Sequence, residues 1–277
     1  TRWGQRHPIY DYQEEIFQKT LQSKYLWILK APKLGITEFY LRFCLWKALT
    51  DPLWSNGQVA IIVGTNTGEA ETMISRAKKI LQNEDGSFKA DIKQNYNTKS
   101  EFTVNSVLFK AHPADNIDAV RSKTNMRFIL IDEAAFFRMI EQSRVREAVE
   151  HYVGGSDTWI VFVSTAGESP EGVMYEIQQE ENSIYEKIFL YYDVGLIPHK
   201  QSNTTIYKPE NIIIAQRSRS FARNYMLSWI SGEGNIFTHE EVDGAFTNFD
   251  IFMPDGQRII AIDPAYGSSN FGVVIGI

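Results

Sequence analysis

Residues 128–131 form a continuous apolar run, Phe-Ile-Leu-Ile, that leads directly into two adjacent carboxylates, Asp132 and Glu133. An apolar run without alternation predicts a central strand of a parallel sheet, buried on both faces. Ligands of open α/β sheets bind beyond the carboxyl ends of such strands, where these two acids emerge. In a nucleotide-hydrolysing site the first acid can hold Mg²⁺ and the second can polarise the attacking water. The alternative is a core strand that ends in a solvated acidic turn.

Similar apolar runs recur along the chain and alternate with helical patterns. The predicted strands are 25–29, 59–64, 104–110 and 159–163. The predicted helices are 39–49, about 69–81, 143–152 and 221–230. The segment 82–100 is polar and rich in turn residues, which predicts an insertion or a hairpin. Strands that alternate with helices indicate an α/β fold, in which a mainly parallel sheet is flanked by helices.

The first predicted strand leads into residues 30–37, Lys-Ala-Pro-Lys-Leu-Gly-Ile-Thr, before a mostly apolar helix. Strand, loop and helix form the context of a phosphate-binding loop, because backbone N–H groups and the helix dipole face the anion. The pattern G-x-x-x-x-G-K-[ST] is partly met: Gly35 and Thr37 fit, whereas Ile36 stands in place of the lysine. Lys30, at the first glycine position, and Lys33 are the two candidates for the phosphate-binding cation. The alternative is an ordinary turn with two surface lysines.

Two further segments could contact a nucleotide. Gln13 lies in the first turn of an expected helix, and its amide can pair with the N6/N7 edge of adenine. The alternative for Gln13 is an exposed polar residue. Ser164 and Thr165 follow another buried strand, and their hydroxyls can sense a phosphate group. The convergence of these strand ends with the lysine-containing loop is the main residue-level indication of a nucleotide triphosphatase.

Composition narrows the possible partners. The chain of 277 residues is 43% hydrophobic and 22% charged, with a net charge of −6. Any contact with nucleic acid must therefore come from a local patch, such as the arginines at 217, 219 and 223, for which the alternative is a solvated helix face. The single cysteine, Cys44, excludes an internal disulfide and a multi-cysteine metal site. No apolar run reaches membrane-spanning length and no signal peptide opens the sequence, so the cytosol is expected.

The last residues resume the strand pattern. Residues 258–263 resemble a strand that ends in one acid, Asp263, and residues 272–277 resemble its partner. Two strands do not fold alone, so we expect the chain to be a piece of a longer protein. The predicted domains are 1–195, 196–254 as a small linker or lid, and 255–277 as the start of a further domain.

Taken in order, these features resemble the large terminase subunit of tailed viruses, the ATP-driven motor that packages DNA. The family has an adenine-contacting glutamine, a deviant phosphate loop, an arginine before an Asp-Glu strand, a Ser-Thr coupling segment and a ribonuclease-H-like nuclease. The matching residues here are Gln13, Lys30 to Thr37, Arg121, residues 128–133, Ser164-Thr165-Ala166-Gly167 with Gly172 and Tyr175, residues 221–237 as the joining segment, and the strand with Asp263.

The resemblance implies a P-loop NTPase of the ASCE type that couples ATP hydrolysis to movement of double-stranded DNA into a viral procapsid. It implies that Lys30 or Lys33 binds phosphate with Gly35 and Ile36, and that Gln13 and Thr165 contact the nucleotide. Thr37 and Asp132 would hold Mg²⁺, Glu133 would orient water, and Arg121 would be an arginine finger. The alternative for Arg121 is a surface arginine paired with Asp115 or Asp118. Asp263 would bind a nuclease metal, but one acid makes an incomplete site, so we expect no nuclease activity from this chain.

The same resemblance implies partners and a place of action. The implied partners are double-stranded DNA and the small terminase subunit, and the chain would form a homo-oligomeric ring on a viral portal. No membrane is implied, and the place of action would be the host cytoplasm. Two alternatives stay open. One is a helicase-like DNA-remodelling ATPase, which a second motor core would favour. The other is a nucleotide-binding scaffold with a decayed phosphate loop, for which Ile36 is the best argument.

Overall fold

The structure of the protein is a computed structural model that describes residues 9–64, 66–81 and 97–229, and the backbone of residues 259–263 and 272–276. The chain divides into two compact units, Thr1–Gly232 and Glu233–Ile277. The described part of the predicted linker, 196–229, belongs to the first unit. No helix within the described ranges has the length and apolar character that a membrane crossing requires.

The helices of the first unit are α1 (Asp11–Gln22), α2 (Ile36–Thr50), α3 (Thr67–Leu81), α4 (Asp118–Arg121), α5 (Met139–Glu150), α6 (Val173–Gln179), α7 (Pro209–Ala215) and α8 (Phe221–Met226). Its strands are β1 (Tyr25–Lys30), β2 (Gln58–Val63), β3 (Glu101–Val104), β4 (Val107–Pro113), β5 (Met126–Asp132), β6 (Trp159–Ser164) and β7 (Glu186–Leu190). The second unit contains β8 (Ile259–Asp263) and β9 (Gly272–Gly276).

Seven strands form one sheet in the order β3-β4-β2-β5-β6-β1-β7. Every neighbouring pair is parallel except β3 and β4, which are antiparallel. The predicted mainly parallel sheet is therefore confirmed. The strand that ends in Asp132, β5, is separated from β1 by one strand, β6. Because parallel strands end at the same edge, the segments that follow β1, β5 and β6 lie side by side.

Both faces of the sheet are covered by helices. On one face Phe128 and Leu130 belong to the apolar core that includes α1, α2 and α3. On the other face Ile129 and Ile131 pack into a second core with α4, α5 and α6. A strand buried on both faces needs an apolar residue at every position, which explains the unbroken run that precedes Asp132.

The structure departs from the sequence-based expectations at three places. Residues 104–110 are not one strand: β3 and β4 are separated by a tight turn at Asn105 and Ser106, whose φ angles are 45° and 64°. Strand β7 at the sheet edge was not predicted. The helical pattern predicted from Phe221 ends at Met226, because Leu227 adopts a left-handed conformation with φ 55°. Most of the predicted insertion, 82–96, lies outside the described residues.

In the second unit, β8 and β9 pair in antiparallel fashion, with Asp263 opposite Gly272. The two predicted strands are therefore present. Their assignment to a ribonuclease-H-like domain, and the predicted domain boundaries, remain predictions.

His112, near the end of β4, should make stability depend on pH. Burial, with the charges of Lys110 and Lys123, lowers the pKa of its imidazole to about 4. Because the unfolded imidazole has a pKa near ~6.5, the unfolded chain binds the proton more readily. The contribution of neutral His112 to the free energy of unfolding is therefore fully present above pH ~6.5. It is lost as pH falls towards ~4, by up to about 3 kcal/mol.

Replacing His112 by Gln should remove this loss and flatten the dependence of Tm on pH. Thermal unfolding of wild type and His112→Gln between pH 7 and pH 4 measures it. His151→Gln, at the exposed end of α5, is the matched histidine control and should keep the wild-type slope. Equal slopes for wild type and His112→Gln would contradict the expectation.

Candidate active site

The polar ends of three neighbouring strands meet at one edge of the sheet. In the parallel register Leu29 of β1 lies beside Ser164 of β6, and Asp132 of β5 lies beside Val163. Lys30, one residue further along β1, therefore comes level with the segment that begins at Thr165. Helix α2, which follows β1, starts at this same edge.

Lys30 is the cation inside the site. Its side chain is nearly buried, at 6% exposure, and its Nζ donates to Glu133 Oε1 at 2.6 Å. Lys33 lies on the surface and has a positive φ of 64°. Of the two lysines that the sequence left open, Lys30 is therefore the one that the fold directs towards the acids.

Thr37 and Asp132 form a pair of oxygen ligands. The hydroxyl of Thr37, in the first turn of α2, donates to Asp132 Oδ1 at 2.8 Å. Burial, followed by repulsion from Glu133, raises the pKa of Asp132 to about 6. The fold thus favours the neutral carboxyl, and the stability that this form contributes is lost as pH rises through ~6. A buried carboxylate beside a hydroxyl suits Mg²⁺, whose charge would stabilise the ionised form.

Glu133 is held between two strands. Its backbone is left-handed, with φ 56°, and its N–H donates to Val163 O at 2.7 Å. Its Oε2 accepts from the backbone N–H of Thr165 at 3.0 Å and from the Thr165 hydroxyl at 3.3 Å. Lys30 occupies Oε1, so one carboxylate oxygen has a partner from β1 and the other has a partner from the segment that follows β6.

The loop between β1 and α2, residues 31–35, is termed the phosphate loop. Gly35 caps α2 in a left-handed conformation with φ 75°. The side chain of Ile36 is fully buried in the core, so only its backbone can face a ligand. Gln13 of α1 reaches this loop, where its Nε2 donates to Leu34 O at 3.3 Å. The structure therefore brings Gln13 to the phosphate loop rather than leaving it on open surface.

A cavity of about 460 Å³ lies beside the two acids. It is lined by Asp132 and Glu133 together with Glu69 and Met73 of α3 and Phe136, which follows the acids. The cavity gives small molecules access to the carboxylates from the side of β2.

Arg121 is not brought to these residues. It ends α4, its side chain is about half exposed, and its Nη2 lies 3.7 Å from Glu147 Oε2 on α5. For a surface Arg121, the sequence predicts Asp115 or Asp118 as the partner. Both are wrong, because Arg121 pairs with Glu147, and Asp118 binds Arg144 at 2.5 Å.

The arginines at 217, 219 and 223 do not form one free patch. Arg223 of α8 pairs with Glu168, which follows the Ser-Thr segment, at 3.1 Å. Arg217 lies on the exposed turn between α7 and α8. Asp263 ends β8, and its side chain lies outside the described residues.

Sequence reasoning missed two tyrosines that bind the phosphate loop. Tyr12 OH donates to Leu34 O at 2.6 Å, and Tyr207 OH donates to Pro32 O. Tyr12 could have been found from its position beside Gln13 in the first turn of α1. No local signal marks Tyr207, because it follows a polar, turn-rich segment far along the chain.

The strand order and the site define a P-loop ATPase fold of the ASCE type, in which β6 lies between the strand before the phosphate loop, β1, and the acid-bearing strand, β5. The profile of the family described as the N-terminal part of the large terminase subunit, T4-like virus type, matches residues 27–243. The chain therefore belongs to the large terminase subunits, the ATP-driven motors of viral DNA packaging. The predicted family, fold class and ATPase activity are confirmed. No curated protein matches the sequence.

Solved structures share the fold at low sequence identity. The large terminase ATPase domain of Thermus phage P74-26 matches with 16% identity and a TM-score of 0.54, over 82% of this chain and 94% of that one. The large terminase of bacteriophage HK97 matches with 15% identity and a TM-score of 0.58, over 80% and 50%. The large terminase of a further thermophilic bacteriophage, in complex with ATP-gamma-S, matches with 14% identity and a TM-score of 0.58, over 96% and 64%.

The two candidate lysines should behave differently. Lys30→Ala should abolish ATP turnover and weaken nucleotide binding strongly, because it removes the only lysine charge that the described site directs towards Glu133. Lys33→Ala removes an exposed lysine from the same loop and should weaken turnover less, so it is the matched control. Steady-state ATPase rates and calorimetric affinity for ATP-gamma-S measure the difference. The reverse ranking would show that Lys33 binds the phosphates.

Proposed function

We propose that this chain is the motor part of a large terminase subunit, with Lys30, Thr37, Asp132, Glu133 and Thr165 as its ATP-hydrolysing centre. The observation that carries the assignment is the meeting of a lysine, a hydroxyl and two carboxylates at one sheet edge. Lys30 reaches Glu133 at 2.6 Å and Thr37 reaches Asp132 at 2.8 Å. Phosphoryl transfer depends on positioning and charge stabilisation, and these groups supply both.

Each group has a role that its position supports. Lys30 neutralises the β- and γ-phosphates, while the backbone of the phosphate loop and the N-terminus of α2 bind their oxygens. Thr37 and Asp132 would hold Mg²⁺. When bound, Mg²⁺ would supply positive charge that stabilises the negative charge developing during transfer. Gln13, already at the loop, contacts adenine once its amide exchanges Leu34 for the base.

Glu133 orients the attacking water. Both of its carboxylate oxygens are engaged, by Lys30 and by Thr165. A triphosphate competes for Lys30, so binding of ATP would release Oε1 and leave a carboxylate oxygen available to the water. The cavity beside Glu133 gives that water a route to the acid. Binding of ATP thus separates Lys30 from Glu133, which leaves Glu133 free to act as the base.

Thr165 relays the state of the γ-phosphate to residues beyond Asp193. Its backbone and hydroxyl contact Glu133, and the segment that follows it contacts the last described helix. Glu168 pairs with Arg223 at 3.1 Å, and a Cβ atom on Gly167 would lie 3.0 Å from the Trp229 ring. A shift of Thr165 would therefore be transmitted to Trp229 through Gly167 and to α8 through Glu168.

Arg121 acts as an arginine finger on the nucleotide of a neighbouring subunit. Its side chain is about half exposed, and it forms an ion pair at 3.7 Å with Glu147, itself an exposed residue. Such a pair is weak and can be exchanged for a phosphate. Arg121 precedes β5, whereas the two acids lie at the end of that strand, and this separation fits a role in trans rather than in cis.

The partners follow from the same assignment. The motor acts on double-stranded DNA as a homo-oligomeric ring on a viral portal, with the small terminase subunit, in the host cytoplasm. The overall charge of −6 excludes a broadly basic surface. The exposed turn around Arg217, next to the α8 helix that contacts the Ser-Thr segment, is the DNA-facing patch that we favour.

Replacing Glu133, the proposed base, distinguishes an ATP-hydrolysing motor from a nucleotide-binding scaffold. Glu133→Gln should lower kcat by roughly 10²–10⁴-fold while ATP-gamma-S still binds, because the amide cannot accept the proton of the water. Glu181→Gln, an exposed glutamate away from the site, is the control and should keep the wild-type rate. Equal, near-zero rates for wild type and Glu133→Gln, with nucleotide still bound, would support the scaffold.

Mixing two inactive variants tests the role of Arg121. Arg121→Ala should lower the rate by about 10³–10⁵-fold and leave nucleotide affinity almost unchanged, because the guanidinium stabilises charge mainly in the transition state. Arg144→Ala, which removes a neighbouring exposed arginine, should keep the wild-type rate. In a mixed ring, an Arg121→Ala subunit keeps its own base and borrows the arginine of a Glu133→Gln subunit. Activity should then return at assembly-competent concentration, and no recovery would exclude a role in trans.

A further inference from the structure

The carbonyl oxygens of the phosphate loop are bound by side chains from outside the strand–loop–helix unit. Tyr207 OH, from the segment between β7 and α7, donates to Pro32 O. Tyr12 OH and Gln13 Nε2, both from α1, donate to Leu34 O at 2.6 and 3.3 Å. Alternate carbonyls of a five-residue loop are therefore fixed by two distant parts of the chain.

Fixing these carbonyls also fixes two N–H groups. In a trans peptide the C=O and the following N–H point in opposite directions. Anchoring Pro32 O therefore turns the N–H of Lys33 away from Tyr207, and anchoring Leu34 O turns the N–H of Gly35 away from Tyr12. Lys33 and Gly35 have φ angles of 64° and 75°. Backbone N–H groups of a turn that contains such left-handed residues can form a concave anion-binding nest.

The N–H groups of this nest are available to a ligand. Within the described part of the chain, no hydrogen-bond acceptor is found for the N–H groups of Lys33, Leu34 or Gly35. Donors of this kind require a partner such as water or an anion. The tyrosines remain donors themselves, because burial raises the pKa of Tyr12 and of Tyr207 above the ordinary value.

Tyr207 is itself held in place by tight packing. Its N–H donates to Gly195 O at 2.9 Å, and a Cβ atom on Gly195 would lie 2.4 Å from its ring. The ring also packs on Tyr225 of α8, with centroids 5.8 Å apart. Through Tyr207 the segment after β7 thus contacts the phosphate loop. This contact involves different residues from the contact between Thr165 and Glu133.

We propose that Tyr207 and Tyr12 are positioning residues for the phosphates of ATP, because their hydroxyls orient the loop peptides that present the N–H groups of Lys33 and Gly35. The proposal rests on the proposed function, since it concerns the same nucleotide site. It adds that the shape of the phosphate loop depends on docking of the segment after β7. By linkage, a bound triphosphate would in turn hold that segment against the loop.

Single hydroxyl deletions test this inference. Tyr207→Phe and Tyr12→Phe keep the buried rings and remove one donor each. Each should weaken binding of ATP-gamma-S roughly fivefold, the effect of one ordinary hydrogen bond. The KM for ATP should rise by a similar factor with kcat within about twofold, because the loop binds ground state and transition state alike.

Tyr152→Phe is the matched control. The Tyr152 hydroxyl also donates to backbone carbonyls, of Val120 at 2.6 Å and Lys123 at 2.9 Å, on the α4 side of the sheet. Tyr152→Phe should lower Tm and leave affinity for ATP-gamma-S unchanged. A purely structural role for Tyr207 would give this same pattern, with Tm lowered and affinity kept, and would overturn the proposal.

The outcomes separate this inference from the proposed function. If the wild-type chain does not bind ATP-gamma-S, the proposed function fails and this inference fails with it. If wild type binds and both loop variants bind equally well, this inference alone is wrong. Should Tyr207→Phe not fold, Tyr12→Phe still decides, because the proposal requires a loss of affinity when Leu34 O loses its hydroxyl donor.

Discussion

The bond between Lys30 and Glu133 joins the two halves of the site across an intervening strand. Lys30 ends β1 and Glu133 follows β5, with β6 between them, yet their charged atoms are 2.6 Å apart. They meet because the parallel strands end in register at one edge of the sheet. The lysine is nearly buried, whereas the glutamate side chain is 41% exposed. The lysine can therefore exchange this partner for a phosphate without leaving a buried acid unpaired, since Glu133 keeps its access to solvent.

Asp132 is held in surroundings that disfavour its ionised form. Its carboxyl is buried beside Glu133, and its pKa is raised because burial and the neighbouring charge both disfavour ionisation. The single hydroxyl of Thr37 offsets only part of this effect. A bound cation beside such a strongly perturbed acid would stabilise its ionised form.

The phosphate loop departs from the usual pattern for a structural reason. The side chain at the usual lysine position, Ile36, is buried where α2 packs on the sheet. The lysine that reaches the acids is instead Lys30, at the end of β1, and its direction is fixed by that strand. Lys33 holds a left-handed conformation that costs a non-glycine residue about 1 kcal/mol or more. The loop keeps this shape because Tyr12 and Tyr207 bind its carbonyls from two other segments.

The sequence by itself determined the alternation of strands and helices, the acids at the end of β5 and the hydroxyls at the end of β6, because periodicity and strand ends are local properties. From the sequence alone, the choice between Lys30 and Lys33 as the phosphate-binding lysine stayed open, and β3 and β4 were predicted as one strand. The partners predicted for a surface Arg121, Asp115 and Asp118, were wrong. Only the tertiary structure decided these points. The direction of a lysine depends on the strand that carries it, and the partner of Arg121 depends on how α4 packs on α5. The bond between Tyr207 and Pro32 joins residues 175 positions apart, so its existence depends on chain topology, which no local pattern records.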